Sequence, residues 1–395
     1  MEKEITNMRI HFYGVQGSAS TFPTIDERDT IQELMDYELL MRVFQDLEQH
    51  LDNNGRLGCS LEEVLGGSLN RETLMAYRHR FTVPEPRIYG GWTTSVLIET
   101  AEGNDIVFDC GSGFRNCAKD LQEKWGDKEE RHLHIFGTHS HWDHTEGFDQ
   151  AAVCFDARNT LHIYGNYQFL YALDAFLGIF SKFVHNDVRG VQTPITFSSM
   201  LASIQGIEIV DPICTLPRRQ GHEMTLGTHE IGVPVEIGST RITAFRVFHP
   251  APCFAYRVER GGKTFIFCTD HELRHGPDSS DPKQKESEEA DQGVWEQCRG
   301  ADVVYHDGQY LRTDYDGVTA IGSSTSVSRL NWGHSCIEDV REMTIQCAVK
   351  HVLIGHHDPN REWSELNWID NTLARACEGQ DYTIELARAG MILDI

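Results

Sequence analysis

Apolar and polar residues alternate from Met8 to Tyr13, the two-residue period of a half-buried strand, and Gly14-Val15-Gln16-Gly17-Ser18 then turns the chain. A second β-rich stretch runs from Thr94 to Asp109, divided by a hairpin turn at Glu102-Gly103-Asn104. Between the two the period changes. Ile31, Leu34, Met35, Met41, Phe44, Leu47 and Leu51 recur at helical spacing, and Asp52-Asn53-Asn54-Gly55 ends that helix. Ser60 with Glu63 forms a capping-box pattern, and Asn70 caps a third helix through His79. Residues 25–86 therefore read as a helical insertion carried on a β-rich core, serving as a solvated decoration, a lid or a dimer arm.

Further strands are expected at Arg131 to Phe136, Ile242 to Phe248, Cys253 to Val258, Thr264 to Cys268, Val303 to Tyr305 and His351 to Ile354. Phe169 to Phe183 reads as an aromatic-rich helix, a pattern more usual for core than for a ligand wall. His275 to Gly293 is polar and acidic, and reads as a loop with little capacity to form core. Strands mixed with helices, and loops rich in His and Asp at strand ends, indicate a mixed α/β enzyme. The whole chain, 1–395, is read as a single domain with the insertion inside it.

Composition narrows the partners. The 395 residues carry 35 Lys+Arg against 60 Asp+Glu, a formal charge of −25. That balance disfavours a long nucleic acid, whose binding relies on a basic face. The richest apolar run, Phe169 to Val184, is interrupted by Asp174 and Lys182 and is too short to span a bilayer. The start, Met1-Glu2-Lys3-Glu4, lacks the basic-then-apolar pattern of a signal peptide, so a cytoplasmic location is expected. The 11 cysteines include no C-x-x-C pair, which favours reduced thiols, with Cys110, Cys253 and Cys268 as small buried hydrophobes.

The 20 histidines are clustered, and the densest cluster is Thr138-His139-Ser140-His141-Trp142-Asp143-His144, directly after a predicted strand. Alternate residues of an extended segment point the same way, so His139 and His141 can grip one ion. Asp143 and His144, where the chain turns into a helix, can face a second. One segment cannot complete two coordination shells, and further ligands stand at later strand ends. His249 follows one strand, Asp270 follows another with a carboxylate able to bridge two ions, and His356 follows a third. His357 would point elsewhere, to a supporting or exposed position. Five imidazoles and two carboxylates without a thiolate suit Zn²⁺ first and Mn²⁺ as a rival.

The segment H-S-H-W-D-H at 139–144 resembles the H-x-H-x-D-H signature of the metallo-β-lactamase superfamily. Phe108-Asp109-Cys110-Gly111-Ser112-Gly113 resembles its first motif, and His249, Asp270 and His356 its later single-residue motifs. Gly14 to Ser18, Gly90 to Ser95, His306 to Tyr310, Trp332 to Ser335 and Gly355 to Pro359 are similar to a narrower branch. That branch holds the tRNA 3′-processing endonucleases and the cyclic-nucleotide and cyclic-phosphate phosphodiesterases. The resemblance implies an α/β fold, the four-layer αββα sandwich, with two divalent metal ions at one edge of the paired sheets. It implies that His139, His141 and His249 hold one ion, that Asp143, His144 and His356 hold the other, and that Asp270 bridges them. A Glu at the position of His141 would suggest the diiron oxygen-reducing relatives; the His disfavours redox chemistry. Asp109 is expected behind the ligands, holding a His ring or the metal loop.

By the same similarity His334 is the candidate general acid, with Asp307 orienting or charging it; the bland alternative for His334 is a loop cap beside Gly333. The expected reaction is hydrolysis of a small, cyclic nucleotide phosphodiester by a metal-bridged hydroxide. Maturation of RNA 3′ ends is the second reading. It is disfavoured by the acidic insertion, where Asp26, Glu27, Asp29, Glu33, Asp36, Glu38, Asp46 and Glu48 face only Arg28 and Arg42 over residues 25–50. Ester, lactone or thioester hydrolysis and a non-enzymatic metal-binding scaffold complete the alternatives. The amphipathic insertion also leaves a homodimer open. Two ions, two ligand carboxylates and one hydroxide sum to a local charge of about +1, so a compact anionic phosphodiester is the expected substrate.

Overall fold

The computed structural model describes residues 5, 7–82, 87–182, 199–212 and 225–395. The last residues expected for the insertion, 83–86, and the end of the aromatic helix at Phe183 lie outside these. The chain divides into two compact units, Pro23–Ile88 and the remainder, Met1–Phe22 with Tyr89–Ile395.

Three helices build the smaller unit. α1 (Ile25–Glu48) starts earlier than the apolar spacing suggests, because Thr24 and Glu27 close a capping box. The Thr24 hydroxyl accepts from the Glu27 N–H at 3.2 Å, and the Glu27 carboxylate accepts the Thr24 N–H at 2.8 Å. α2 (Leu61–Leu65) and α3 (Arg71–Arg78) start at the expected Ser60 and Asn70 caps. Val64, Leu65 and Tyr77 form a small core with Val43, Leu47, Cys59 and Phe81. Leu34, Met41 and Phe44 stay exposed, so α1 carries more apolar surface than this core absorbs.

The larger unit is built on two sheets. One contains β1 (Met8–Gly14), β2 (Ser95–Thr100), β3 (Asp105–Phe108), β4 (Arg131–Phe136), β5 (Asn159–Gly165), β6 (Ser203–Val210) and β7 (Thr225–Glu230) in that spatial order. The other contains β8 (Val235–Ile237), β9 (Thr240–Arg246), β10 (Phe254–Arg260), β11 (Lys263–Cys268), β12 (Val303–Asp307), β13 (His351–Gly355) and β14 (Thr383–Leu386), again in chain order. The C-terminal β15 (Ile392–Asp394) returns to pair with β1. Side chains alternate across each strand, and apolar clusters form on both faces of these sheets. Phe265 and Phe267 of β11 point between the sheets, where they join Ile10, Phe12, Phe108, Phe136, Tyr256 and Tyr305. Ile266 and Cys268 point outward to Val294, Val340, Met343 and Ile369.

Helices cover both outer faces. α4 (Phe114–Trp125) and α5 (Tyr167–Lys182) supply Phe114, Leu121, Phe169 and Leu170 against Val107, Leu133 and Ile135 of the first sheet. α6 (Pro282–Cys298), α8 (Ile337–Cys347) and α9 (Trp363–Ala376) cover the second, with the single-turn α7 (Arg312–Tyr315) near the strand ends. The result is the four-layer αββα sandwich. Each fully buried aromatic stabilises it by about 1.5–3 kcal/mol.

The expected loop at His275–Gly293 is corrected in its second half by α6. Asp281 caps that helix, accepting from the Lys283 N–H at 2.9 Å, and Pro282 occupies its first turn. Its apolar anchors, Val294 and Cys298, fall in the last turns, so the polar earlier turns mask the amphipathic pattern. Among the described residues no helix is long and apolar enough to cross a membrane.

Candidate metal centre

The chemistry-bearing residues leave the sheets at strand ends. In-register parallel pairing sets Cys268 beside His306 and His306 beside Ile354. Asp270, Asp307 and His356 therefore emerge along one edge of the second sheet. In the first sheet Phe108 pairs with Phe136, which places Asp109 beside the loop that begins at Gly137. Asp109, Asp270 and His356 each adopt a left-handed backbone, with φ of 59°, 55° and 54°. Such conformations cost non-glycine residues about 1 kcal/mol or more and persist where surrounding structure demands them. The turn re-aims each side chain at the point where its strand stops.

Asp270 divides its two oxygens between two histidine sets. Oδ2 lies 3.4 Å from His139 Nε2 and 3.8 Å from His249 Nε2. Oδ1 lies 3.4 Å from His144 Nε2 and 3.2 Å from His356 Nε2. His141 completes the first set, its ring centroid 4.5 Å from that of His139 and 4.8 Å from that of His249. Asp143 completes the second, with Oδ2 3.3 Å from His144 Nε2 and 3.2 Å from His356 Nε2. All seven residues expected as ligands are thus brought together, in two groups that could each hold an ion. Only His141 is substantially exposed; His139, His144, Asp270 and His356 are buried.

Behind these groups stand residues that fix them. Asp109 Oδ2 lies 2.7 Å from His144 Nδ1, and the same carboxylate accepts the Thr138 N–H at 2.7 Å and the Thr138 hydroxyl at 2.9 Å. These contacts leave His144 Nε2 directed at the centre. The Ser18 N–H donates to Asp143 Oδ2 at 2.7 Å, from a residue with φ of 60°. At Gly17 a Cβ would come within 2.4 Å of His356 Nδ1, so only glycine lets this turn approach the ligand. His357 is buried, not exposed, and donates from Nε2 to the Ala387 carbonyl at 2.9 Å, away from the centre.

His334 stacks on His356 with ring centroids 4.7 Å apart, and lies within ligand range of both Asp270 and His356. Its Nδ1 is 3.1 Å from Asp307 Oδ2. Asp307 also accepts the Ser335 N–H at 2.7 Å and the His271 N–H at 3.1 Å, so one buried carboxylate orients the ring and ties two loops together. Sequence reasoning missed Glu272. Its buried carboxylate accepts the N–H groups of Asn331 and Gly333, both at 2.8 Å, and the Tyr315 hydroxyl. Its only sequence signal was a third ionisable residue in the run Asp270-His271-Glu272.

Electrostatics fit a cationic occupant. Burial holds the pKa of His139 and His141 below the usual histidine value and that of His249 down at about 3, leaving neutral imidazoles with free lone pairs. His144 is raised, because Asp143, Asp270 and Asp109 outweigh its burial. His334 is raised as well: its hydrogen bond to Asp307 and the nearby carboxylates outweigh its desolvation. The Nε2 atoms of His139, His144 and His249 are buried without a hydrogen-bond partner. Buried polar atoms in that state are costly unless they bind something. The donor set of imidazoles and carboxylates, with Asp270 shared, fits a pair of divalent ions. Asp109 and Asp307 stand behind His144 and His334, so the balance of charge reaches beyond Asp143 and Asp270.

No protein-family model matches the chain, and no curated protein matches it. Solved structures do. Zn²⁺-bound PqqB from Methylobacterium extorquens is 12% identical with a TM-score of 0.51, over 98% of this chain and 100% of that one. The metallo-β-lactamase fold protein YhfI from Bacillus subtilis is 13% identical with a TM-score of 0.47, over 98% and 99%. The short form of human tRNase Z is 15% identical with a TM-score of 0.49, again over 98% and 99%. The likeness to PqqB is one of fold, and the chain has the αββα sandwich of the metallo-β-lactamase type.

Proposed function

We propose that the chain is a binuclear metal-dependent phosphodiesterase acting on a small, cyclic nucleotide phosphodiester. The observation that carries this reading is Asp270, whose two oxygens face two separate ligand groups while His334 stands beside them on an Asp307 support. Divalent ions bound by these groups would supply Lewis acidity and lower the pKa of water towards about 7.

The chain's own residues do the remainder. Asp109 holds His144 in one orientation through Nδ1. Asp307 holds His334 through Nδ1, which leaves Nε2 free to serve a leaving oxygen as the general acid. The exposure of His141 marks an open approach to a centre otherwise buried. The acidic character of the whole chain supports a compact anion over a long polyanion as the substrate.

A substrate panel tests the proposal under Zn²⁺ and Mn²⁺ separately: 3′,5′-cyclic purine and pyrimidine monophosphates, cyclic dinucleotides, a 2′,3′-cyclic phosphate and a tRNA precursor. Turnover of a small cyclic phosphodiester, with little cleavage of the precursor, is the expected result. Efficient cleavage of the precursor alone would instead identify an RNA-processing enzyme. A folded protein with two bound metals and no turnover of any member would count for the scaffold reading.

A further inference from the structure

Trp332 is half exposed, one residue from Gly333 and two from His334. The chain dips steeply here: Asn331 and Trp332 are exposed, whereas Gly333 and His334 are buried. A Cβ on Gly333 would lie 2.2 Å from Cδ2 of His249, so the peptide following Trp332 rests against a histidine of the candidate centre. The residues on either side of Trp332 are clamped by Glu272, which accepts the N–H of Asn331 and that of Gly333. Asn331 and Gly333 are held at φ of 69° and 93°, and the Trp332 N–H donates to the Arg329 carbonyl at 3.0 Å. An exposed loop tip would ordinarily have no such restraint.

The ring itself is braced. The Arg329 guanidinium lies over the indole, 4.3 Å from its centroid, although Arg329 is only 5% exposed and its Nε has no hydrogen-bond partner. A desolvated guanidinium against an indole is a strong cation–π pair. A fixed, half-exposed aromatic face of this kind is suited to stack a flat ring, because every nucleobase presents one. We infer that Trp332, braced by Arg329 and positioned by Glu272, is the platform on which the substrate's nucleobase stacks. This rests on the phosphodiesterase reading and deepens it by naming the side chain that holds the base.

The test is equilibrium binding to the zinc-loaded full chain, with adenosine 5′-monophosphate and ribose 5-phosphate as probes that share a phosphate and differ in the base. The wild type is expected to favour the nucleotide by about tenfold or more, the range of one base–aromatic stack. Trp332→Ala should erase that preference and leave ribose phosphate binding unchanged. Trp332→Phe should keep most of it. A wild type with no preference overturns the proposal, as does a Trp332→Ala chain that retains one or loses affinity for both probes alike. A chain that hydrolyses no phosphodiester yet keeps a Trp332-dependent preference upholds the platform and overturns the reaction.

Discussion

The buried carboxylate of Glu272 accepts the main-chain N–H of Gly333 at 2.8 Å, joining the segment that follows β11 to the loop that carries His334. The same side chain meets Asn331 and Tyr315, so its removal orphans three donors. Glu272→Ala should cost about 3 kcal/mol or more in urea unfolding, since each buried unpaired polar group costs about 1–3 kcal/mol. Glu272→Gln should cost less. If Glu272 positions His334, the Gln variant keeps its metal content and KM but loses at least about tenfold in kcat. A variant that loses metal and stability while its remaining loaded fraction turns over normally would make Glu272 a purely structural residue.

His334 and Asp307 separate by leaving group. His334→Ala should retain two metal ions and lose about 10²–10⁴-fold in rate on an alkyl phosphodiester, whose leaving oxygen needs a proton. On a p-nitrophenyl ester the loss should be small. Asp307→Asn should follow the same pattern more weakly, because the ring loses its oriented Nδ1 hydrogen bond to a carboxylate. Since His334 also lies within ligand range of Asp270 and His356, metal analysis is decisive. Loss of one ion in His334→Ala would make it a ligand and not the acid.

Asp270 and Asp109 should differ in the same assay. Asp270→Asn weakens both ligand groups at once, and bound metal should fall from two ions per chain to one or none. Asp109→Asn leaves every ligand in place but loosens His144, and should weaken the affinity for metal by about 10–100-fold. Equal losses in the two variants would mean that Asp270 does not bridge.

The site was legible in sequence further than the fold was. His139, His141, Asp143 and His144 lie within six positions, and the residues at strand ends can be seen from where an apolar run stops. The parallel register that brings Asp270, Asp307 and His356 to one edge is a tertiary fact, reached only through the family resemblance. Glu272 was invisible because nothing in its own segment shows that its partners lie 43, 59 and 61 positions later. β14 and β15 are short edge strands of three or four residues, too short to display a period. α6 was hidden for a different reason, its apolar anchors being confined to its last turns. In α1 the helical spacing was plain, yet Leu34, Met41 and Phe44 stay exposed.

Glu99 offers a test of stability away from the centre. Its carboxylate lies 2.6 Å from His11 Nε2 and 2.6 Å from Lys124 Nζ, and Lys124 is shared with Asp105 at 2.6 Å. Burial opposes the charged form, but the hydrogen bonds from His11 and Lys124 prevail and lower the Glu99 pKa from 4.5 to about 2. A pKa lower in the folded than in the unfolded chain contributes stability at pH values above the unfolded pKa. That contribution fades as pH falls from about 4.5 towards 2. Allowing for solvent screening of the partly exposed lysine, the contribution is about 1–2 kcal/mol at pH 7. Glu99→Gln should therefore be less stable than the wild type by that amount at pH 7. The gap should narrow as the pH is lowered to 3.5. Urea unfolding of both chains after chelator treatment measures it without interference from metal release. A gap of the same size at pH 7 and pH 3.5 would show that Glu99 acts through packing and neutral hydrogen bonds instead of through its charge.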